Sequence, residues 1–179
     1  MNTGLISMRY AKALLQIGLE NKEAAKMLYD NSTLFYETLI ELPEFEYFLK
    51  NKIIKNSQKK EIVRKVFSDK FHNFMMNFIE VIIDNKREKL INDIFIDFLT
   101  IYRKQFGIRN VKVITAIPVK EKYKDEISKI LKERLKVEIE LECKVDPEII
   151  GGLIIAVDDK QADGSIAGEL RALKKKMMN

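Results

Sequence analysis

The sequence predicts two domains of different class: an all-α bundle of five or six helices over residues 1–105, and a small α/β domain with a mixed sheet over residues 106–179. Three observations predict it. From Ser7 to about Gln105 the apolar residues recur at intervals of three and four, which places them on one helical face. From Asn110 the interval falls to two, the alternation of a strand buried on one side. Between the two patterns stands Gly107, a natural helix stop because glycine reaches positive φ without a Cβ clash.

In the first helix Met8, Ala11, Leu15 and Gly18 share one side, with Leu14 beside them. Ala24, Met27, Leu28, Leu34, Phe35, Leu39 and Leu42 make a longer stripe. It stops at Pro43, which has no amide hydrogen to continue the ladder. The stretch EFEYFLKN reads as a short helix, and Ser57 as the N-cap of a helix carrying Ile62, Val63, Val66 and Phe67. Two stripes are clearer still: Phe71, Phe74, Met75, Phe78, Ile79 and Ile82, then Leu90, Ile91, Ile94, Phe95, Phe98 and Tyr102. Each must be buried against other helices, and a bundle does this for all of them.

In the second half, Val111, Val113, Thr115 and Ile117 alternate with Lys112, Ile114 and Ala116 in a strand that ends at Pro118. A helix follows through Tyr123, Ile127, Ile130, Leu131 and Leu135. The next strand, VEIELECKV, puts Val137, Ile139, Leu141, Cys143 and Val145 on one face and Glu138, Glu140, Glu142 and Lys144 on the other. A sheet covered on a single side needs this division. A third strand, LIIAVDD, is more apolar and so more central. Ile166, Leu170, Leu173 and Met177 mark a closing helix, with Arg171 and Lys174–Lys176 favourably placed near the negative end of its dipole.

The composition excludes several classes. Hydrophobic residues make up 46% and charged residues 33% of 179, and the longest apolar clusters are broken by Asp, Asn or Lys, so no direct membrane span is expected. The opening MNTGLISMRY lacks the basic start and apolar core of a secretory signal. One cysteine rules out an internal disulfide framework and points to a reducing compartment. The net charge of +5 comes from 32 basic and 27 acidic residues interspersed along the chain, which identifies no partner.

The stretch from Val145 to Ile166, VDPEIIGGLIIAVDDKQADGSI, raises three possible readings. It is not a phosphate loop: Gly151 and Gly152 precede a strand, and no GK[ST] ending follows them. Close backbone approach or positive φ at a strand entrance accounts for the pair. Asp158, Asp159 and Asp163 lack the regular donor spacing and terminal glutamate of a calcium loop, so no metal is expected. Asp163-Gly164 reads instead as a turn, with Asp163 or Ser165 capping the following helix. His72, the sole histidine, stands at a helix start with no activating carboxylate next to it. Cys143 falls on an apolar strand face, as an inert small hydrophobe. No catalytic set can be assembled, and no cofactor is expected. In DNKRE, Asn85 and Arg87 read as part of a polar helix–helix turn, with Arg87 also long enough to hold a neighbouring helix.

Taken in order, four segments carry a family likeness: RYAKALLQIG from Arg9, NFIEVIIDNKRE from Asn77, VKVITAIPV from Val111, and VDPEIIGGLII followed by DGSIAGELRAL. Together the segments resemble the delta subunit of the bacterial F-type rotary ATP synthase, the family of the mitochondrial oligomycin-sensitivity-conferring subunit. Asp158, and Gly168-Glu169, depart from the family's usual pattern. The resemblance implies a non-catalytic subunit of the peripheral stalk at the cytoplasmic face of the inner membrane. It would hold the alpha–beta head against rotor torque during proton- or sodium-driven ATP synthesis.

The implied partners are alpha subunits at the N-terminal domain and b subunits at the C-terminal domain, with no nucleic acid. The first helix and the Phe71–Ile83 helix are nominated to receive an alpha-subunit helix. There Ala11 and Gly18 would allow close approach, Leu14, Leu15, Phe74, Phe78 and Ile82 would give apolar contact, and Arg9 and Lys12 would supply rim charge. Asn85, Arg87, Gly151, Gly152, Asp163, Gly164 and Ser165 would be structural turn or cap residues. The alternative is a small basic RNA- or ribosome-associated protein using Lys112, Lys120, Lys122, Lys124, Lys129 and Lys132 on phosphates. Against it, Glu121, Asp125, Glu126 and Glu133 interrupt those lysines.

Overall fold

The computed structural model describes residues 3–20, 22–157 and 160–177, and the chain divides into two compact units, Met1–Tyr102 and Arg103–Asn179. Among the described residues six α-helices run through the first unit: α1 (Thr3–Glu20), α2 (Lys22–Glu41), α3 (Pro43–Lys50), α4 (Asn56–Phe67), α5 (Asn73–Asp84) and α6 (Ile91–Phe106). A 3-10 turn, Glu88–Leu90, leads into α6, and the division between the units falls within that helix.

Phe35 of α2, fully buried, sits at the centre of the bundle core. Its ring lies 4.9 Å from Phe95, 5.3 Å from Phe67 and 6.1 Å from both Phe45 and Phe71, in tilted and edge-on arrangements. Such pairings add to the burial of the rings themselves. Three other helices and the approach to α5 thus converge on this one side chain of α2. Tyr29 stacks on Tyr102 at 4.2 Å. Small residues set the closest helix approach: a Cβ on Gly18 would lie 3.1 Å from the Cα of Ala25, so α1 and α2 meet backbone to backbone there.

Helix ends follow local chemistry. Pro43 opens α3 at a position where its missing amide hydrogen is no loss. The N-cap of α4 is Lys55, so Ser57 is the second helical residue and not the cap its chemistry suggested. His72 is the N-cap of α5, and its Nδ1 accepts a hydrogen bond from the amide of Phe74 at 3.3 Å. At the other end of α5, the amide of Lys86 donates to the Ile83 carbonyl and that of Arg87 to the Ile82 carbonyl, both at 3.0 Å. This paired closure needs a left-handed residue, and Lys86 supplies it with φ 55°.

In the second unit β1 (Arg109–Thr115), α7 (Glu121–Leu135), β2 (Ile139–Val145), β3 (Gly152–Val157), β4 (Lys160–Ser165) and α8 (Ile166–Met177) follow in order. The sheet is mixed, ordered β2-β1-β3-β4. β1 pairs parallel with β2 through the α7 crossover, while β1–β3 and β3–β4 are antiparallel. Val111 and Val113 form the middle of this core with Ile139. Ile127 and Leu131 of α7 cover them, and Leu141, Cys143, Ile155 and Val157 flank them on the same face. On the other face Lys112 reaches Glu142 at 2.9 Å across the parallel pair.

β4 departs from expectation. The sequence reads Asp163-Gly164 as a turn, yet both residues belong to a strand that pairs with β3 from Val157↔Lys160 to Gly152↔Ser165. Its side chains are exposed except for Ser165, so neither face imposes an apolar alternation that the sequence could display. Asp158 and Asp159 lie outside the described residues.

Candidate functional site

The helical unit carries a groove of about 560 Å³ between α1 and α5. From α1 it is lined by Tyr10, Ala13 and Ile17, spaced three and four apart, with Arg9 at the edge. From α5 it is lined by Phe74, Phe78 and Val81, at the same kind of spacing, with Asn77 between them. Each row covers about two helical turns, roughly 10 Å. Phe78 is buried and forms the floor, held by edge contacts with Tyr10 at 6.3 Å and Phe95 at 6.1 Å. Phe74 and Val81 stand at the rim, 42% and 47% exposed. Apolar side chains this accessible, arranged in two parallel rows, fit an amphipathic helix laid along the groove. Arg9 at the edge favours an acidic residue on that helix.

Three of the nine residues expected to contact a partner helix line this groove: Arg9, Phe74 and Phe78. Four others are corrected. Ala11, Leu14, Gly18 and Ile82 are buried in the bundle, and Gly18 serves the approach of α1 to α2. Lys12 is exposed and Leu15 half-buried, and neither lines the groove. Periodicity identified the most apolar face of α1, and that face belongs to the core. Tyr10, Ala13, Ile17, Asn77 and Val81 were missed. A signal was present: α1 and α5 each carry more apolar residues than one buried stripe uses.

The turn residues serve as local structure. Asn85 is the C-cap of α5, and its side-chain amide donates to the Val81 carbonyl at 2.9 Å. Arg87 makes no ion pair among the described residues. The charged link across the bundle comes from its neighbour Glu88, which accepts from Lys59 at 2.6 Å with both side chains buried.

In the second unit Gly152 has φ +74°, and a Cβ there would fall 2.2 Å from the Gly164 carbonyl oxygen. Gly164 lies in β4 itself, where its near neighbour is the Leu153 carbonyl oxygen. Asp163 is also a β4 residue, and no Asp-Gly turn forms there. Its Oδ1 accepts from the Ser165 amide at 2.9 Å and the Ser165 hydroxyl at 2.6 Å, and Arg171 approaches its Oδ2 at 3.3 Å. The bonds from Ser165, with the Arg171 charge behind them, hold the Asp163 carboxyl below the usual carboxylate range. Ser165 in turn caps α8, its hydroxyl accepting from the Gly168 amide at 3.0 Å. A Cβ at Gly168 would lie 2.7 Å from Asp163 Oδ2, so a side chain there would have to displace the carboxylate.

A second apolar surface lies along α8. Ile166, Leu170, Leu173 and Met177 share one helical face and are 45%, 53%, 55% and 87% exposed. The stripe that marks the closing helix in the sequence is therefore open. Of the six lysines considered for nucleic acid, Lys112, Lys124 and Lys132 are engaged by Glu142, Glu121 and Glu138. Among the described residues no helix is long and apolar enough to cross a membrane.

The chain matches the family described as ATP synthase delta (OSCP) subunit over residues 6–177. It is 31% identical over 169 residues to the ATP synthase subunit delta of Gloeobacter violaceus, covering 94% of this chain and 91% of that one. It is 33% identical over 179 residues to the corresponding subunit of Heliobacterium modesticaldum, with 99% and 96% covered. A chain from the cryo-electron microscopy structure of the Toxoplasma gondii mitochondrial ATP synthase hexamer shares the fold. Its TM-score is 0.70 at 21% identity, over 97% of each chain. The chain belongs to the ATP synthase delta (OSCP) subunit family.

Proposed function

We propose that this chain is the non-catalytic connector of the peripheral stalk in an F-type ATP synthase, at the cytoplasmic face of a bacterial inner membrane. Its helical unit receives an N-terminal helix of an alpha subunit in the α1–α5 groove. Its α/β unit binds the b-subunit stator, with the exposed row on α8 as the natural contact. Held at both ends, it prevents the catalytic head from turning with the rotor. ATP chemistry stays with the alpha–beta head.

The observation that carries this reading is the groove, with Tyr10, Ala13 and Ile17 facing Phe74, Phe78 and Val81. Calorimetric titration with an alpha N-terminal peptide tests it. The wild-type chain should bind one peptide. Val81→Glu and Ala13→Glu put a charge on the groove at accessible positions, so folding survives while docking must desolvate a carboxylate. Each should weaken binding at least about tenfold, roughly 1.4 kcal/mol. Ile96→Glu, at an equally exposed α6 position outside the groove, should leave affinity unchanged. Wild-type affinity in folded Val81→Glu and Ala13→Glu would remove the groove from the account.

A further inference from the structure

The helical unit has a second concavity, of about 450 Å³, where the start of α4 meets the turn after α5. Five lysines line it (Lys50, Lys52, Lys59, Lys86 and Lys89) against a single glutamate, Glu88. Two of them are neutralised: Lys59 by Glu88 within the buried pair, and Lys50 by Glu46. Lys52, Lys86 and Lys89 have no carboxylate partner among the described residues. That sets them apart from Lys60, Lys65, Lys124 and Lys132, each of which holds an acidic neighbour at 2.6–2.8 Å. Like charges gathered in a concave space repel one another and raise a positive potential there. An anion in that space relieves the repulsion.

The walls are built to hold this arrangement. The Asn56 side-chain amide donates to the Ile83 carbonyl at 3.0 Å, tying the first residue of α4 to the end of α5. The buried Lys59–Glu88 pair fixes α4 against the turn that carries Lys86 and Lys89. Lys86 stands at the left-handed position that closes α5, so the backbone beneath it is set by two hydrogen bonds. The start of α4 adds the positive end of a helix dipole to the lysines.

The shape of the lining selects the ligand class. Ile54 is its only apolar residue, and no aromatic ring is available to stack a base. Lysine ammonium groups are mobile point charges that suit several phosphate groups in succession better than one planar carboxylate. We propose that this pocket binds a compact polyvalent phosphate anion, an inorganic or nucleoside di- or triphosphate recognised through its phosphate chain alone. The site is separate from the α1–α5 groove and independent of the connector role.

Isothermal titration of the full chain with tripolyphosphate at low ionic strength tests the proposal. Saturable binding of one anion per chain is expected. Lys86→Gln/Lys89→Gln should weaken it at least about tenfold, since two charge-assisted contacts are lost. Lys122→Gln/Lys129→Gln removes the same charge from exposed positions on α7 and should change affinity less than about twofold, as expected for screened surface charges. ATP should match tripolyphosphate, because only the phosphate chain is read. Absence of saturation, or equal losses in the two double variants, would overturn the site. Much tighter binding of ATP, or of a glutamate-rich peptide, would overturn the assigned ligand class.

Discussion

Gly152 leaves no space for a side chain. Its φ of +74° and the 2.2 Å that would separate a Cβ from the Gly164 carbonyl oxygen both exclude alanine, and the opposing atom is backbone that cannot rotate aside. Gly151 is different: its φ is not left-handed, and the atom in the way is Ile166 Cδ1, the movable end of a side chain. Gly152→Ala should therefore cost at least about 2 kcal/mol in denaturant unfolding, whereas Gly151→Ala should cost less than about 1 kcal/mol. Equal losses would contradict the geometry of the β3 entrance. The sequence offered close approach and positive φ as explanations for the pair without dividing them. Both apply to Gly152, and only the first, in a milder form, to Gly151. Which of two adjacent glycines is indispensable depends on what lies across the sheet, and β4 was not legible.

At the scale of elements, the Lys59–Glu88 pair links α4 to the turn before α6, with side chains only 3% and 10% exposed. Removing one partner leaves a charge inside the unit. Lys59→Ala should destabilise the helical unit by roughly 3 kcal/mol, while Lys59→Met/Glu88→Leu should recover most of that loss. Thermal and denaturant unfolding of the two variants would check this, and a double variant no better than the single would contradict it. This link was not visible in the sequence, which offered Arg87 as the residue able to reach a neighbour. The helices themselves were legible because α5 and α6 bury continuous stripes, Phe78–Ile79–Ile82 and Ile94–Phe95–Phe98 among them. β4 was hidden for the opposite reason, being an edge strand with only Ser165 buried. The groove fell between these cases. Periodicity finds the face of α1 that holds Ala11, Leu14 and Gly18, but it does not say that α2 already covers that face. The flanking row of Tyr10, Ala13 and Ile17 remains for a partner.

For the whole molecule, the change from three-and-four spacing to alternation at Asn110 made the two kinds of architecture readable, because each period reflects the geometry of its own backbone. Each unit has its own core, centred on Phe35 in one and on Val111 and Val113 in the other. Each also leaves an apolar surface open, the α1–α5 groove and the α8 row. Two uncovered surfaces on separate units suit a protein that joins two partners, and this bridging is the central claim. Sedimentation of alpha–beta heads with a soluble b-subunit domain, with and without the chain, tests it most directly. The account predicts that the b domain travels with the heads only when the chain is present, and that Val81→Glu abolishes this co-sedimentation. Binding of the two partners in mutual exclusion, or co-sedimentation without the chain, would contradict it.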